Sequence, residues 1–212
     1  MKQPRRRRWP WLVAGAVVAA LLIVTAIIAV PILTHQNAGA SGQEPFAERW
    51  PLTAVGHGAD GRERSIEILS ADPGGQVDSS ALAEGDRLVV SGSGFDASRG
   101  IYVAICVIPE PGEKPGPCLG GVPSTKEGDG FEEGSVQFAP SNWINDDWAW
   151  RLFGARSYDD PAAGTFTAYL EVPAPTGEGV DCREDACGIF TRNDHTAAGD
   201  RVQDLYVPVG FP

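Results

Sequence analysis

The sequence predicts an all-β sandwich domain held behind one N-terminal transmembrane helix. Three observations carry this. A long uncharged apolar run lies at the N-terminus, seven short apolar or alternating runs follow it between turn-rich stretches, and four cysteines form two close pairs.

The apolar run covers residues 9–33 and has no charged residue. About 20 apolar residues cross the hydrocarbon core of a bilayer, whereas the apolar part of a cleaved signal spans about 7–15. The run is therefore expected to be a signal-anchor. The alternative is secretion after cleavage following Ala40, in the small-residue stretch Ala38-Gly39-Ala40. Lys2, Arg5, Arg6, Arg7 and Arg8 precede the span, and the next basic residue is Arg49. Positive charge stays on the cytoplasmic side. The expected topology is single-pass in the plasma membrane, with the N-terminus inside and the C-terminal domain outside. Trp9 and Trp11 suit the headgroup boundary.

Four regions follow: a cytoplasmic basic tail, 1–8; the transmembrane helix, 9–33; a polar juxtamembrane linker, 34–62, without clean periodicity; and an extracellular domain, 63–212. The net charge of −11 becomes −16 once the five basic residues of the tail are set aside. A surface this acidic repels phosphate backbones, so nucleic acid is not an expected partner. Solubility of an exposed domain explains the acidity.

Within the domain the strands follow from pattern. Ser65 to Leu69 alternates and ends at ADPGG, and Arg87 to Phe95 is entered through EGD. Ile101 to Ile108 is rich in β-branched residues, which suit a pleated surface. A proline-rich connection, PEPGEKPGPC, cannot pair inside a sheet. Ser135 to Phe138, Thr165 to Val172, Cys187 to Arg192 and Asp204 to Phe211 complete the set. Two antiparallel sheets packed face to face bury one side of each such strand.

The cysteines are Cys106, Cys118, Cys182 and Cys187. Eleven and four residues separate the members of the two pairs, and no histidine lies close to either. Zinc knuckles typically hold two to four residues, and a redox pair is C-x-x-C. An even count in an oxidising compartment points to disulfides. Four cysteines allow three connectivities. Local pairing, Cys106–Cys118 and Cys182–Cys187, is preferred because each pair flanks a turn-rich segment.

This frame carries a resemblance. VSGSGF before the first pair, YVAIC at its start, and VDCREDAC followed by a strand ending VPVGF are similar to the neocarzinostatin family of actinobacterial apoproteins. The likeness spans about Ser65 to Phe211. It extends to related immunoglobulin-like domains of actinobacterial surface proteins, which share the TRNDHT…GDR…Q run. The resemblance implies a seven-stranded immunoglobulin-like sandwich with disulfide hairpins flanking a ligand cleft. In the antibiotic members that cleft holds an enediyne chromophore. Those proteins carry a tryptophan two residues after the first paired cysteine, where this chain has Ile108. They are also secreted free. The expectation is the scaffold without the toxin.

Ala139 to Pro161 stands apart for its aromatic density: Trp143, Trp148, Trp150, Phe153 and Tyr158. Either the segment packs its own aromatics over the sandwich, or it presents a ligand- or partner-binding surface, since exposed aromatics anchor interfaces. In an extended loop Trp148 and Trp150 share one face. No nucleophile elbow G-x-S-x-G is present. His195 is the one histidine of the domain, and NDHT reads as a turn capped by its own side chains. A haem-ligand role for His195 or Tyr102, and a calcium cluster of Asp194, Asp200 and Asp204, are weaker readings.

The expected function is a non-enzymatic, membrane-anchored extracellular binding or adhesion module of an actinobacterial envelope. It would hold a protein, a cell-wall component or a small apolar ligand, with no cofactor, catalytic residue or metal. The alternative is a small-molecule binder for a chromophore- or haem-like ligand, using the family cleft with the aromatic segment as a lid. A purely structural accessory of a membrane complex is a third class.

Overall fold

The computed structural model describes residues 9–121 and 137–212. They divide into an N-terminal unit ending at Gln36 and a folded body from Asn37 to Pro212. The first unit is the helix α1, Trp9–Leu33, apolar on every face and long and apolar enough to cross a membrane. At 1.5 Å per residue its 25 residues reach about 37 Å, beyond the ~30 Å hydrocarbon thickness.

The body is an all-β sandwich of two antiparallel four-stranded sheets. One antiparallel sheet runs β1 (Thr53–His57), β2 (Glu63–Ser70), β3 (Arg87–Ser93), β6 (Phe166–Glu171). The other runs β10 (Tyr206–Val209), β9 (Cys187–Asn193), β4 (Ile101–Val107), β5 (Ser141–Ile144). A short ribbon pairs β7 (Thr176–Gly177) with β8 (Val180–Asp181). Alternation drives the packing. Ile66 and Ile68, Leu88 and Val90, and Ala168 and Leu170 point inward from the first sheet. They meet Val103 and Ile105, Ile189, and Val207 and Val209 from the second. Each fully buried Ile, Leu or Val side chain contributes roughly 1.5–3 kcal/mol. Phe95 and Phe166 meet edge to face at 5.0 Å within this core.

Both disulfides are local, Cys106–Cys118 and Cys182–Cys187. The second staples the turn between β8 and β9, where Glu184 and Asp185 donate their amides back to the Asp181 carbonyl. The pairing and the two-sheet topology are those the family resemblance implies.

Besides the short β7–β8 ribbon, two strands of the main sheets arise where none was expected. β1 lies inside the stretch read as linker and adds an edge strand to the expected seven. It gives no strand signal because its inward residues are Ala54 and Gly56; at Gly56 a Cβ would sit 2.7 Å from Leu205 Cδ2. The linker reading is corrected further upstream, because Asn37 Nδ2 donates to the Gly199 carbonyl and the Ala38 amide to Asp200. β5 replaces the strand expected at Ser135–Phe138. Ser135 and Val136 lie outside the described residues, and Gln137 and Phe138 are not in a strand. β5 is buried on both faces, so it shows no alternation.

Residues 40–46 close the seam between β1 and β10, the edges of the two sheets. The Glu44 amide donates to the Val55 carbonyl, and the His57 amide to the Gly42 carbonyl. On the other side the Gln43 side-chain amide donates to the Tyr206 carbonyl (3.1 Å) and accepts from the Tyr206 amide (2.7 Å). One side chain thus stands in for a strand partner on an otherwise open edge.

Candidate functional site

The outer face of the second sheet carries aromatic and charged side chains in place of the polar face expected of a solvated sheet. β4 contributes Tyr102, Ala104 and Cys106 to it, β9 contributes Phe190 and Arg192, β10 contributes Tyr206, and β5 contributes Trp143. Two regions form on this face.

The first is a cleft of about 370 Å³. Residues Ala40 to Phe46 form one wall and the proline-rich hairpin from Pro109 to Pro115 forms the other. Phe190 and Tyr206 stack at 4.8 Å beneath it, and Phe46 meets Tyr206 edge-on at 5.5 Å. Glu44, Glu110 and Glu113 stand at the walls, with Arg201 and Asp204 at one end. The Cys106–Cys118 hairpin therefore walls the cleft, while the Cys182–Cys187 hairpin does not line it.

Asp204 and Arg201 form an ion pair at 2.8 Å, both nearly buried. Burial pushes the Asp204 carboxyl up to about 7, against the pull of Arg201. Neither of its oxygens accepts a well-formed hydrogen bond among the described residues. Arg192 lies 5.5 Å over the Tyr102 ring and donates to the Pro115 carbonyl (3.3 Å). Burial, and then repulsion from Arg192 and Arg201, lowers Lys114 on the same hairpin.

The second region centres on Asp194, which is fully buried. Its carboxylate accepts from Trp143 Nε1 (2.9 Å) and Asn145 Nδ2 (2.8 Å), and from the Thr196 amide (2.8 Å) and hydroxyl (2.5 Å). These bonds tie β5 to the 3₁₀ turn His195–Ala197 that Asp194 caps. Gly100 is required opposite, because a Cβ there would collide with Asp194 Oδ2 and Asn145 Nδ2. His195 lies among three rings. Its Nδ1 is 2.9 Å from the Tyr102 hydroxyl, and its ring meets Trp150 at 4.7 Å and Trp143 at 5.4 Å. Burial, then the Asp194 charge, raises the Tyr102 phenol above its ordinary value.

The five aromatics singled out from the sequence do not form one surface. Trp143 and Tyr158 are buried; Tyr158 donates its hydroxyl to the Arg99 carbonyl (3.0 Å), and burial raises it. Trp150 is half-buried against His195, while Trp148 and Phe153 are exposed. The expected shared face of Trp148 and Trp150 is corrected. Asp147 caps a helical turn, α2 (Trp148–Arg151), by accepting from the Ala149 amide. Successive helical residues diverge by about 100°, so residues i and i+2 point apart.

The turn reading of NDHT holds. The three aspartates weighed for calcium have separate tasks: Asp194 binds its four donors, Asp200 accepts from the Ala38 and Val202 amides, and Asp204 pairs with Arg201. Tyr102 and His195 engage each other. Of the cleft residues, the sequence offers Asp204 only as a weak calcium candidate and does not single out Phe46, Phe190, Tyr206 or Arg201. Alternation in CGIFTR and LYVPV places Phe190 and Tyr206 on one face, but no local signal brings Phe46 over them from 144 residues before Phe190.

The chain is similar to "Thiamine biosynthesis protein X" of Corynebacterium glutamicum, with 30% identity over 150 residues, which make up 70% of this chain and 64% of that protein. The chain thus spans less than two thirds of that relative's length. No family model matches. Among solved structures, macromomycin covers 69% of this chain and 99% of its own at 17% identity, with a TM-score of 0.35. The fold assignment rests on the strand topology and disulfides described above.

Proposed function

We propose that the chain is a non-enzymatic, membrane-anchored binding module whose outward-facing domain holds a small organic ligand in the cleft between residues 40–46 and the Cys106–Cys118 hairpin. The observation that carries the reading is the aromatic floor of that cleft, Phe190 stacked on Tyr206 with Phe46 edge-on, inside a volume of about 370 Å³. Small-molecule sites occupy about 300–1,000 Å³ and combine apolar walls with a few polar groups. Three glutamates, Glu44, Glu110 and Glu113, beside the Arg201–Asp204 pair favour a cationic or neutral aromatic ligand over an anion. The Corynebacterium relative is named for thiamine biosynthesis. Thiamine is a cationic heteroaromatic and belongs among the probes for that reason.

Anchoring rests on the length and composition of α1. The basic tail before α1 favours an inside N-terminus, and two disulfides suit an oxidising compartment. Residues 37–40 bond to the folded body, and cleavage after Ala40 would remove them. Of the two ligand classes, the cleft favours a small molecule over a wall or protein partner held by adhesion.

Saturation-transfer NMR of the full chain in micelles, against a set of aromatic cations, neutral aromatics and aromatic acids, tests the reading. Cationic and neutral aromatics are expected to bind, and a Phe190→Ala/Tyr206→Ala double variant is expected to lose them. Binding that survives in the double variant, or binding confined to acids, refutes it.

A further inference from the structure

Among the described residues outside α1, the exposed large hydrophobics are Leu69 and three neighbours in one segment: Trp148 (65% exposed), Leu152 (75%) and Phe153 (67%). Trp148 and Leu152 stand four apart around the single turn of α2 and its cap, the spacing that puts side chains on one face. Phe153 follows, its amide bonded to the Trp150 carbonyl. The tip is held rigidly from below by buried Ala149 and Ala155 and by the Asp147 cap. A concentrated apolar patch on a soluble surface marks an interaction site.

The chain itself limits what can cover this patch. The folded body begins at Asn37 and Ala38, which bond to Gly199 and Asp200. Three residues, Thr34, His35 and Gln36, separate Asn37 from the last residue of α1. Fully extended, that tether reaches about 14 Å. Gly199 and Asp200 follow the Ala198 cap of the 3₁₀ turn whose His195 packs on Trp150, and the Trp150 and Phe153 rings lie 6.4 Å apart. The attachment point and the apolar tip therefore share one end of the sandwich.

We infer that the Trp148–Leu152–Phe153 tip docks into the interfacial zone of the bilayer that carries α1. This rests on the anchoring part of the proposed function and is independent of the ligand. The occupant is the lipid interface itself, where tryptophan and other aromatic side chains are at home with one end apolar and the other wet. Asp146, Asp147 and Arg151 flank the tip, so charge supplies no pull toward anionic headgroups and phosphatidylcholine suffices. Docking turns the cleft wall and its opening into a fixed orientation relative to the membrane instead of a freely tumbling one.

The test is spin-label accessibility in the full chain reconstituted into phosphatidylcholine vesicles, with one label per variant: Phe153→Cys at the tip, Leu22→Cys in α1, and Asp72→Cys in the turn after β2, at the opposite end of the sandwich. All three positions are exposed, so the variants fold. The expected result is a label at 153 that favours oxygen over a water-soluble nickel relaxant, at a depth of about 5–10 Å, with 72 aqueous and 22 deep. A label at 153 as aqueous as that at 72, with 22 deep, overturns the docking and leaves the anchor standing. A label at 22 that is itself aqueous removes the anchor and the docking together. A label at 153 shielded from both relaxants means a protein partner or a second copy covers the tip, and also overturns the docking.

Discussion

Asp194→Ala removes the carboxylate that joins β5, β9 and the following 3₁₀ turn. Two of its donors, Trp143 Nε1 and Asn145 Nδ2, belong to residues that are 9% and 5% exposed, so water cannot replace the lost acceptor. A buried donor left without a partner costs about 1–3 kcal/mol, and hydrogen bonds to a charged group are worth about 1.5–3 kcal/mol each. Thr196 is half-exposed and its two bonds can pass to solvent. The expected loss is about 3–5 kcal/mol, the range found when a buried charge network loses one member. That is a large share of a typical 5–15 kcal/mol. At about 2 kcal/mol per molar urea the midpoint falls by roughly 2 M. Urea titration of the full chain in micelles, followed by near-ultraviolet circular dichroism, reads this directly. Asp194→Asn keeps one acceptor oxygen and turns an amide toward the other donors, so it is expected to fall between the two. A loss below about 1 kcal/mol for the alanine variant would refute the role given to Asp194.

Three further predictions follow from the same contacts. Asp204 keeps its proton up to about 7 in the folded state but releases it near 3.8 when unfolded. Between those values the folded state binds more protons, so this group's contribution falls as pH rises, by about 1.4 kcal/mol per unit. Thermal melts at pH 5 and pH 8 are therefore expected to show a smaller pH-dependent loss in Asp204→Asn than in the parent; parallel profiles would exclude the assignment. Replacing both cysteines of a pair by serine is expected to cost about 3 kcal/mol for Cys106–Cys118 and about 2 kcal/mol for Cys182–Cys187, from the loops of 12 and 5 residues that they close. Equal losses from the two pairs would contradict the loop-closure account. Gln43→Ala removes both bonds to the β10 edge and is expected to cost about 1–2 kcal/mol and to speed hydrogen exchange at the Tyr206 amide. Unchanged exchange there would show that the edge is sealed by other means.

The parts of the fold legible in sequence are those that obey a period. β2, β3, β4, β6, β9 and β10 alternate or run apolar between turn residues, and all six form where the pattern puts them. β1 and β5 were hidden for different reasons. β1 turns small residues inward, because Leu205 and the 40–46 segment crowd Gly56. β5 is covered on both sides, and its Asn142 side chain pairs with the Tyr169 main chain through both amide atoms, a contact no local pattern encodes. The aromatic segment was visible, but its division was not. Whether Trp148 and Trp150 share a face depends on a single capping aspartate, Asp147, starting a helical turn. The cleft was the least legible feature. Its floor comes from two adjacent strands, but its wall comes from residues 40–46, held by the side chain of Gln43 bonding across 163 positions.

Native mass spectrometry of the full chain, extracted from the membranes of its own organism, tests the cleft most directly, since it presupposes no ligand. The account predicts a mass above that of the two-disulfide chain, lost on denaturation and absent from the Phe190→Ala/Tyr206→Ala variant. A bare chain in the parent protein, or an added mass that the double variant retains, would contradict it.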